Sequence, residues 1–210
     1  MFNNRKDAGK KLALKLEKYK DDDVIVLAVP RGGIVIALDT IKKYGFKWDL
    51  AISRKIGAPS NKEMAIGAVS ADGSYFVNKE YVDIFDVSKN YIDGEIAQET
   101  NEIKRRMKEY RGDDSLPDVK NKTVIIMDDG IATGYTILAT VKSVKKQGAV
   151  KTVLAVPVGP NETIEELQSI FDDVICLEVP KGFISVGMYY MNFDQVSDEE
   201  VFKIMKELRS

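Results

Sequence analysis

The chain has 210 residues, 44% of them hydrophobic, with 31 basic and 33 acidic side chains and a net charge of −2. That suits one globular domain with its own core and gives no polycation that would demand nucleic acid or an anionic membrane. A single cysteine, Cys176, and the absence of histidine exclude a disulfide framework, a Ser-His-Asp triad and any histidine metal site, so a bound metal would be held by oxygen and magnesium is favoured over zinc.

The opening stretch, "MFNNRKDAGKK", lacks the apolar centre of a signal peptide, and no later run approaches the ~18 apolar residues of a spanning helix. A soluble protein of a reducing cytoplasm is expected, with Cys176 a small buried hydrophobe. Five short runs rich in β-branched residues follow: "VIVLAV" (24–29), "DLAIS" (49–53), "TVIIMD" (123–128), "TVLAVPV" (152–158) and "VICLEV" (174–179). Near-continuous apolar runs of this kind predict parallel strands covered on both faces. Helical patterns over about 33–44, 133–147 and 161–171 alternate with them, so the expected fold is a doubly wound α/β domain on a mainly parallel five-stranded sheet.

After the first strand, "VPRGGIVIA" puts Pro30, Arg31, Gly32 and Gly33 in a tight, glycine-permissive turn carrying one cation. After the second, Arg54 and Lys55 stand at a strand end before "GAPSNKE", whose turn formers predict a mobile loop over 56–63. Asp72-Gly73 between apolar runs predicts a hairpin turn. A helix from about Ser88 to Arg111 carries Ile92, Ile96, Ile103, Met107 and Tyr110 near the helical period, with Gly112 at its C-terminal cap. The stretch of about 56–115 thus reads as an insertion into a single domain spanning 1–210. The segment of about 180–195, containing "PKGFISVGMYYMNF", reads as a small glycine- and aromatic-rich hood. A last helix opens on "SDEE", a capping box with Ser197 at the cap and Glu200 three residues on.

Chemistry concentrates in "VIIMDDGIATGYT" (124–136). A strand, a turn and then a helix present backbone N–H groups to an anion, and the helix dipole adds partial positive charge. Ile131, Ala132, Thr133, Gly134, Tyr135 and Thr136 would form a phosphate cradle, with Gly130 leading into it, Gly134 allowing close approach and Thr133 and Thr136 adding hydroxyls. Asp128 and Asp129 cannot face that phosphate; they would accept hydrogen bonds from hydroxyls beside it. A phosphate with two vicinal hydroxyls nearby describes a ribose 5-phosphate. A bare Asp-Asp-Gly would be a solvated turn with Asp as a cap, and it is the full segment that outweighs that reading.

The segment resembles the phosphoribosyl-pyrophosphate (PRPP) signature of type I phosphoribosyltransferases. That family has a five-stranded parallel core, a pyrophosphate loop after the first core strand, a mobile loop after the second and a variable hood, and the chain offers each in order. The opening helix, with Asn4-Arg5 and Ala8-Gly9, is similar to bacterial and archaeal members that begin with a "DR…AG…LA" helix. The resemblance implies transfer of phosphoribosyl from PRPP and Mg²⁺ to a nitrogen acceptor such as a nucleobase, with release of pyrophosphate. It makes Asp128, Asp129, Arg31 and Lys55 the candidate catalytic residues, with Arg31, Gly32, Gly33, Arg54 and Lys55 at pyrophosphate. Lys181, Phe183 and Tyr189 or Tyr190 of the hood are candidates for the acceptor, and Lys62 and Glu63 for the lid. No protein metal ligand is expected. The expected partners are PRPP, the acceptor and a second copy of the chain, without membrane or nucleic acid. The alternative is a non-catalytic PRPP-sensing regulator of the same fold.

Overall fold

The computed structural model describes residues 1–209. In chain order the elements are α1 (Arg5–Lys15), β1 (Val24–Ala28), α2 (Gly32–Tyr44), β2 (Lys47–Leu50), β3 (Ser53–Ala58), β4 (Asn61–Ser70), β5 (Tyr75–Val77), α3 (Lys79–Ile84), α4 (Lys89–Arg111), β6 (Thr123–Met127), α5 (Tyr135–Lys146), β7 (Lys151–Val158), α6 (Asn161–Gln168), β8 (Asp173–Glu178) and α7 (Asp198–Arg209). They fall into two compact units: 1–51, 119–134 and 148–209 form the first, and 52–118 with 135–147 the second.

The first unit is built on a five-stranded sheet of order β2-β1-β6-β7-β8, every pair parallel. All five residues of β1 and all five of β6 are buried, as their unbroken apolar runs require. Helix α1 lies close on α2 because Gly9 has no side chain; a Cβ there would sit 2.5 Å from the Ile36 carbonyl oxygen. Ser197 caps α7, its Oγ accepting the Glu200 N–H at 3.2 Å. All five sequence-predicted strands are present, the second ending earlier, at Leu50.

The second unit is an antiparallel sheet of order β3-β4-β5 with α4 and α5 packed on it. Its turn at Asp72-Gly73 is the expected one: Gly73 has φ +79°, and the Ser74 N–H donates to Asp72 Oδ1 at 3.0 Å. Ser88 caps α4 by accepting the Tyr91 N–H at 3.3 Å, and Gly112 closes it at φ +88°. The mobile loop predicted over 56–63 is instead a hairpin. Strand β3 continues through Ala58, β4 begins at Asn61, and Pro59-Ser60 is the connection. The cause is burial and close backbone approach: Ile56, Gly57 and Ala58 are covered, and a Cβ on Gly57 would meet the Lys62 carbonyl oxygen at 2.4 Å. Tyr91 fastens this corner by donating from its hydroxyl to the Gly57 carbonyl at 2.8 Å.

Candidate functional site

Strand β6 ends at Met127, and the chain leaves it as Asp128-Asp129-Gly130. Asp129 donates its N–H to Asp128 Oδ1 at 2.8 Å. Its own Oδ2 accepts from Arg5 Nε at 2.7 Å, with the two side chains only 11% and 17% exposed. The two carboxylates also lie within hydrogen-bonding reach of each other, so the pair is a single coupled unit. Burial pushes Asp128 well above the ordinary carboxylate range, and the neighbouring Asp129 charge adds to the shift. Burial also raises Asp129, against the opposing pull of Arg5.

The turn after β1 meets this pair directly. Val29 donates to the Met127 carbonyl at 2.9 Å, which places the end of β1 beside the end of β6. A Cβ on Gly32 would lie 1.9 Å from Asp129 Oδ2 and 3.0 Å from Arg5 Nε. A Cβ on Gly33 would lie 2.6 Å from the Met127 carbonyl oxygen. The two glycines singled out for a tight turn are therefore also the surface on which the second acid rests. The Pro30–Arg31 peptide is cis, and Arg31 precedes α2 with its Nη1 3.8 Å from Asp198 Oδ1.

The loop beyond the acids is held from beneath. Gly130 adopts φ +155°, and a Cβ there would strike Val186 at 2.4 Å. Ile131, expected among the phosphate donors, is buried and gives its N–H to the Val158 carbonyl at 2.9 Å. Thr163 opposite donates from Oγ1 to the Ala132 carbonyl at 2.9 Å, and Gly134 turns at φ +72°. Ala132 and Thr133 are exposed. The chain then enters α5, whose first-turn N–H groups have no intrahelical acceptor. Tyr135 is buried in the second unit, its hydroxyl accepting from Asn78 Nδ2 at 2.9 Å, and the Thr136 carbonyl accepts from Thr140 Oγ1 at 2.8 Å.

Hood residues reach the same corner. Tyr190 is buried between Phe2 and Phe193, and its hydroxyl donates to the Asp129 carbonyl at 2.6 Å. Burial raises its pKa. Phe183 and Tyr189 stack on each other with centroids 5.6 Å apart and planes 7° from parallel, while Lys181 is exposed. In the second unit, Arg54 on β3 is ion-paired to Glu99 of α4, Lys55 is exposed, and Lys62 pairs with Glu95. Glu63 is exposed at the start of β4. Among the described residues no group of three or more Cys, Asp or Glu is arranged to hold a metal ion. Thus Asp128, Asp129, Gly32, Gly33 and the 130–134 loop gather in one place in the first unit. Arg5 and Tyr190's hydroxyl bond to the acid loop were not anticipated. Arg5 lies 124 positions from its partner, and its sequence signal is its place in the Asn4-Arg5 and Ala8-Gly9 pattern of the opening helix, which carries no hint of Asp129.

A phosphoribosyl transferase domain family matches residues 2–191. A Mycobacterium tuberculosis protein that carries a provisional phosphoribosyl transferase name is 37% identical over 202 residues, covering 96% of this chain and 45% of its own. The chain therefore spans about half the length of the curated relatives it matches. Among solved structures, TT1426 from Thermus thermophilus is 34% identical with a TM-score of 0.82, covering 99% of this chain and 98% of its own. The AQ2163 protein of Aquifex aeolicus, at 12% identity and a TM-score of 0.53 over 83% of this chain and 74% of its own, shares the fold alone.

Proposed function

The chain belongs to the phosphoribosyl transferase family, and we propose that it transfers phosphoribosyl from magnesium-bound PRPP to a nitrogen acceptor of the nucleobase class. The C1–O bond to pyrophosphate breaks, a C1–N bond forms, and the acceptor nitrogen loses its proton. The observation that carries this reading is the seating of the Asp129 carboxylate against Gly32, which joins the acid pair to the glycine turn of the implied pyrophosphate loop. Asp128 and Asp129 stand side by side, and a cis-diol offers two adjacent hydroxyls that such a pair would accept. The amides of Ala132, Thr133 and Gly134, with the Thr133 hydroxyl, take the 5-phosphate.

The transition state is oxocarbenium-like, so catalysis consists of holding the ribose, stabilising charge on the departing pyrophosphate and excluding water. No histidine is needed. Arg31 is the cation of the first unit assigned to pyrophosphate. Arg54 is committed to Glu99 within its own unit. Magnesium would be carried by the substrate's phosphates and would offset part of their charge, with Arg31 beside them. Lys181, Phe183 and Tyr189 are assigned to the acceptor. Because the two rings already stack, an acceptor ring would extend the stack instead of entering between them.

Phosphorus NMR of PRPP with Mg²⁺ and a panel of nucleobases tests the activity. Free pyrophosphate and a new 5-phosphoribosyl resonance should appear together with at least one base. PRPP that binds but is left intact with every base would turn the assignment to the PRPP-sensing regulator.

A further inference from the structure

Asp129 is gripped by a residue with no part in the motif. Arg5, in the first turn of α1, is held on three sides. Nε donates to Asp129 Oδ2 at 2.7 Å, Nη1 donates to the Asp194 carbonyl at 2.7 Å, and the guanidinium carbon lies 3.8 Å from the centre of the Phe193 ring. We propose that Arg5 is a positioning residue for the acid pair, fixing the Asp129 carboxylate beside Asp128 and the glycine turn, where a ligand hydroxyl would meet it. The inference rests on the phosphoribosyl reading above and adds a residue to it.

Three observations carry it. The Oδ2 atom that Arg5 holds is the same atom that lies where a Gly32 Cβ would be, so the carboxylate is fixed between a guanidinium and a bare backbone. A guanidinium is planar and always charged, and an Arg held at both Nε and Nη1 has little rotational freedom left to lose on ligand binding. Both members of the ion pair are largely covered, at 11% and 17% exposed, so water competes little for the bond that holds the carboxylate. A purely structural Arg5, tying α1 to the 193–194 segment, would need only Phe193 and the Asp194 carbonyl.

Calorimetric titrations of the whole chain with ribose 5-phosphate and, separately, inorganic pyrophosphate divide these roles, since only the former has hydroxyls for Asp129. Arg5→Gln should weaken ribose 5-phosphate by roughly tenfold or more, the equivalent of one charge-assisted hydrogen bond, while pyrophosphate affinity changes little. Arg5→Lys should restore part of the loss, because it keeps the charge without the fork. Phe193→Leu loosens the tether but leaves the Nε bond to Asp129, and should bind ribose 5-phosphate like the unmodified chain. The inference is overturned if Arg5→Gln binds ribose 5-phosphate normally, if it loses both ligands alike, or if Phe193→Leu is as damaging. An unmodified chain that binds neither PRPP nor ribose 5-phosphate overturns the phosphoribosyl reading itself, and this inference with it.

Discussion

A carboxylate buried beside another carboxylate resists ionisation, and Asp128 stands in that position. Its pKa is raised well above the ordinary 3.8 by burial and then by Asp129. A folded-state value above the unfolded one means that the native chain binds protons more tightly. The contribution to stability is therefore full below the unfolded pKa and is lost as pH rises through the folded pKa. At neutral pH the acid pair costs the unliganded chain stability, in keeping with a site arranged for a ligand's hydroxyls and not for its own packing. Asp128→Asn removes the titration. From about pH 4 upward the unfolding midpoint of the unmodified chain should fall more steeply with pH than that of the variant. Parallel pH profiles for the two chains would contradict this.

At the scale of elements, the approach of α2 to the end of β6 decides what the two glycines do. Beside Gly32 the obstacle is the end of the Asp129 side chain, at 1.9 Å; beside Gly33 it is the Met127 backbone, at 2.6 Å. The Asp129 side chain can give way only by leaving its ion pair with Arg5, and the strand backbone cannot give way at all. Gly32→Ala should thus abolish PRPP binding by displacing the carboxylate, whereas Gly33→Ala should destabilise the fold by about 1–3 kcal/mol, the usual cost of overpacking, and leave the acid pair in place. Thermal unfolding and PRPP titration of both variants separate the effects, and PRPP binding lost alike in folded samples of the two would refute the distinction. The parallel strands, α4 with its caps and the acid pair with its loop were legible in the sequence because their signals are contiguous or periodic. The β3–β4 hairpin was not, since Gly57, Pro59 and Ser60 are turn formers whether they make a long loop or the corner of two paired strands. Nor was the inward set of Glu95 and Glu99, because a charge on a helix is expected outside until the partner is seen; Lys62 and Arg54 reach them from the sheet. Arg5 stood in the opening-helix pattern, but its pairing with Asp129 was illegible for the same reason, as the partner is distant in sequence.

At the scale of the whole molecule, the first unit alone contains the parallel sheet, the acid pair, the glycine turn, the hood and Arg5, and the second carries the antiparallel sheet with α3, α4 and α5. Among the described residues no helix is long and apolar enough to cross a membrane. The net charge of −2 gives no general attraction for a polyanion, so the proposed affinity for PRPP would have to come from local donors and from the substrate's magnesium. The central claim is that Asp128 and Asp129 hold the ribose of PRPP. Its most direct test is titration calorimetry of PRPP with Mg²⁺ into the unmodified chain and into one carrying Asp128→Asn with Asp129→Asn. Both acids lie past the end of β6, so the double variant should fold normally while losing two charge-assisted hydrogen bonds, each worth about 1.5–3 kcal/mol. Saturable binding to the unmodified chain and no detectable heat in the variant are expected; a folded variant that binds PRPP with unchanged affinity would contradict the claim.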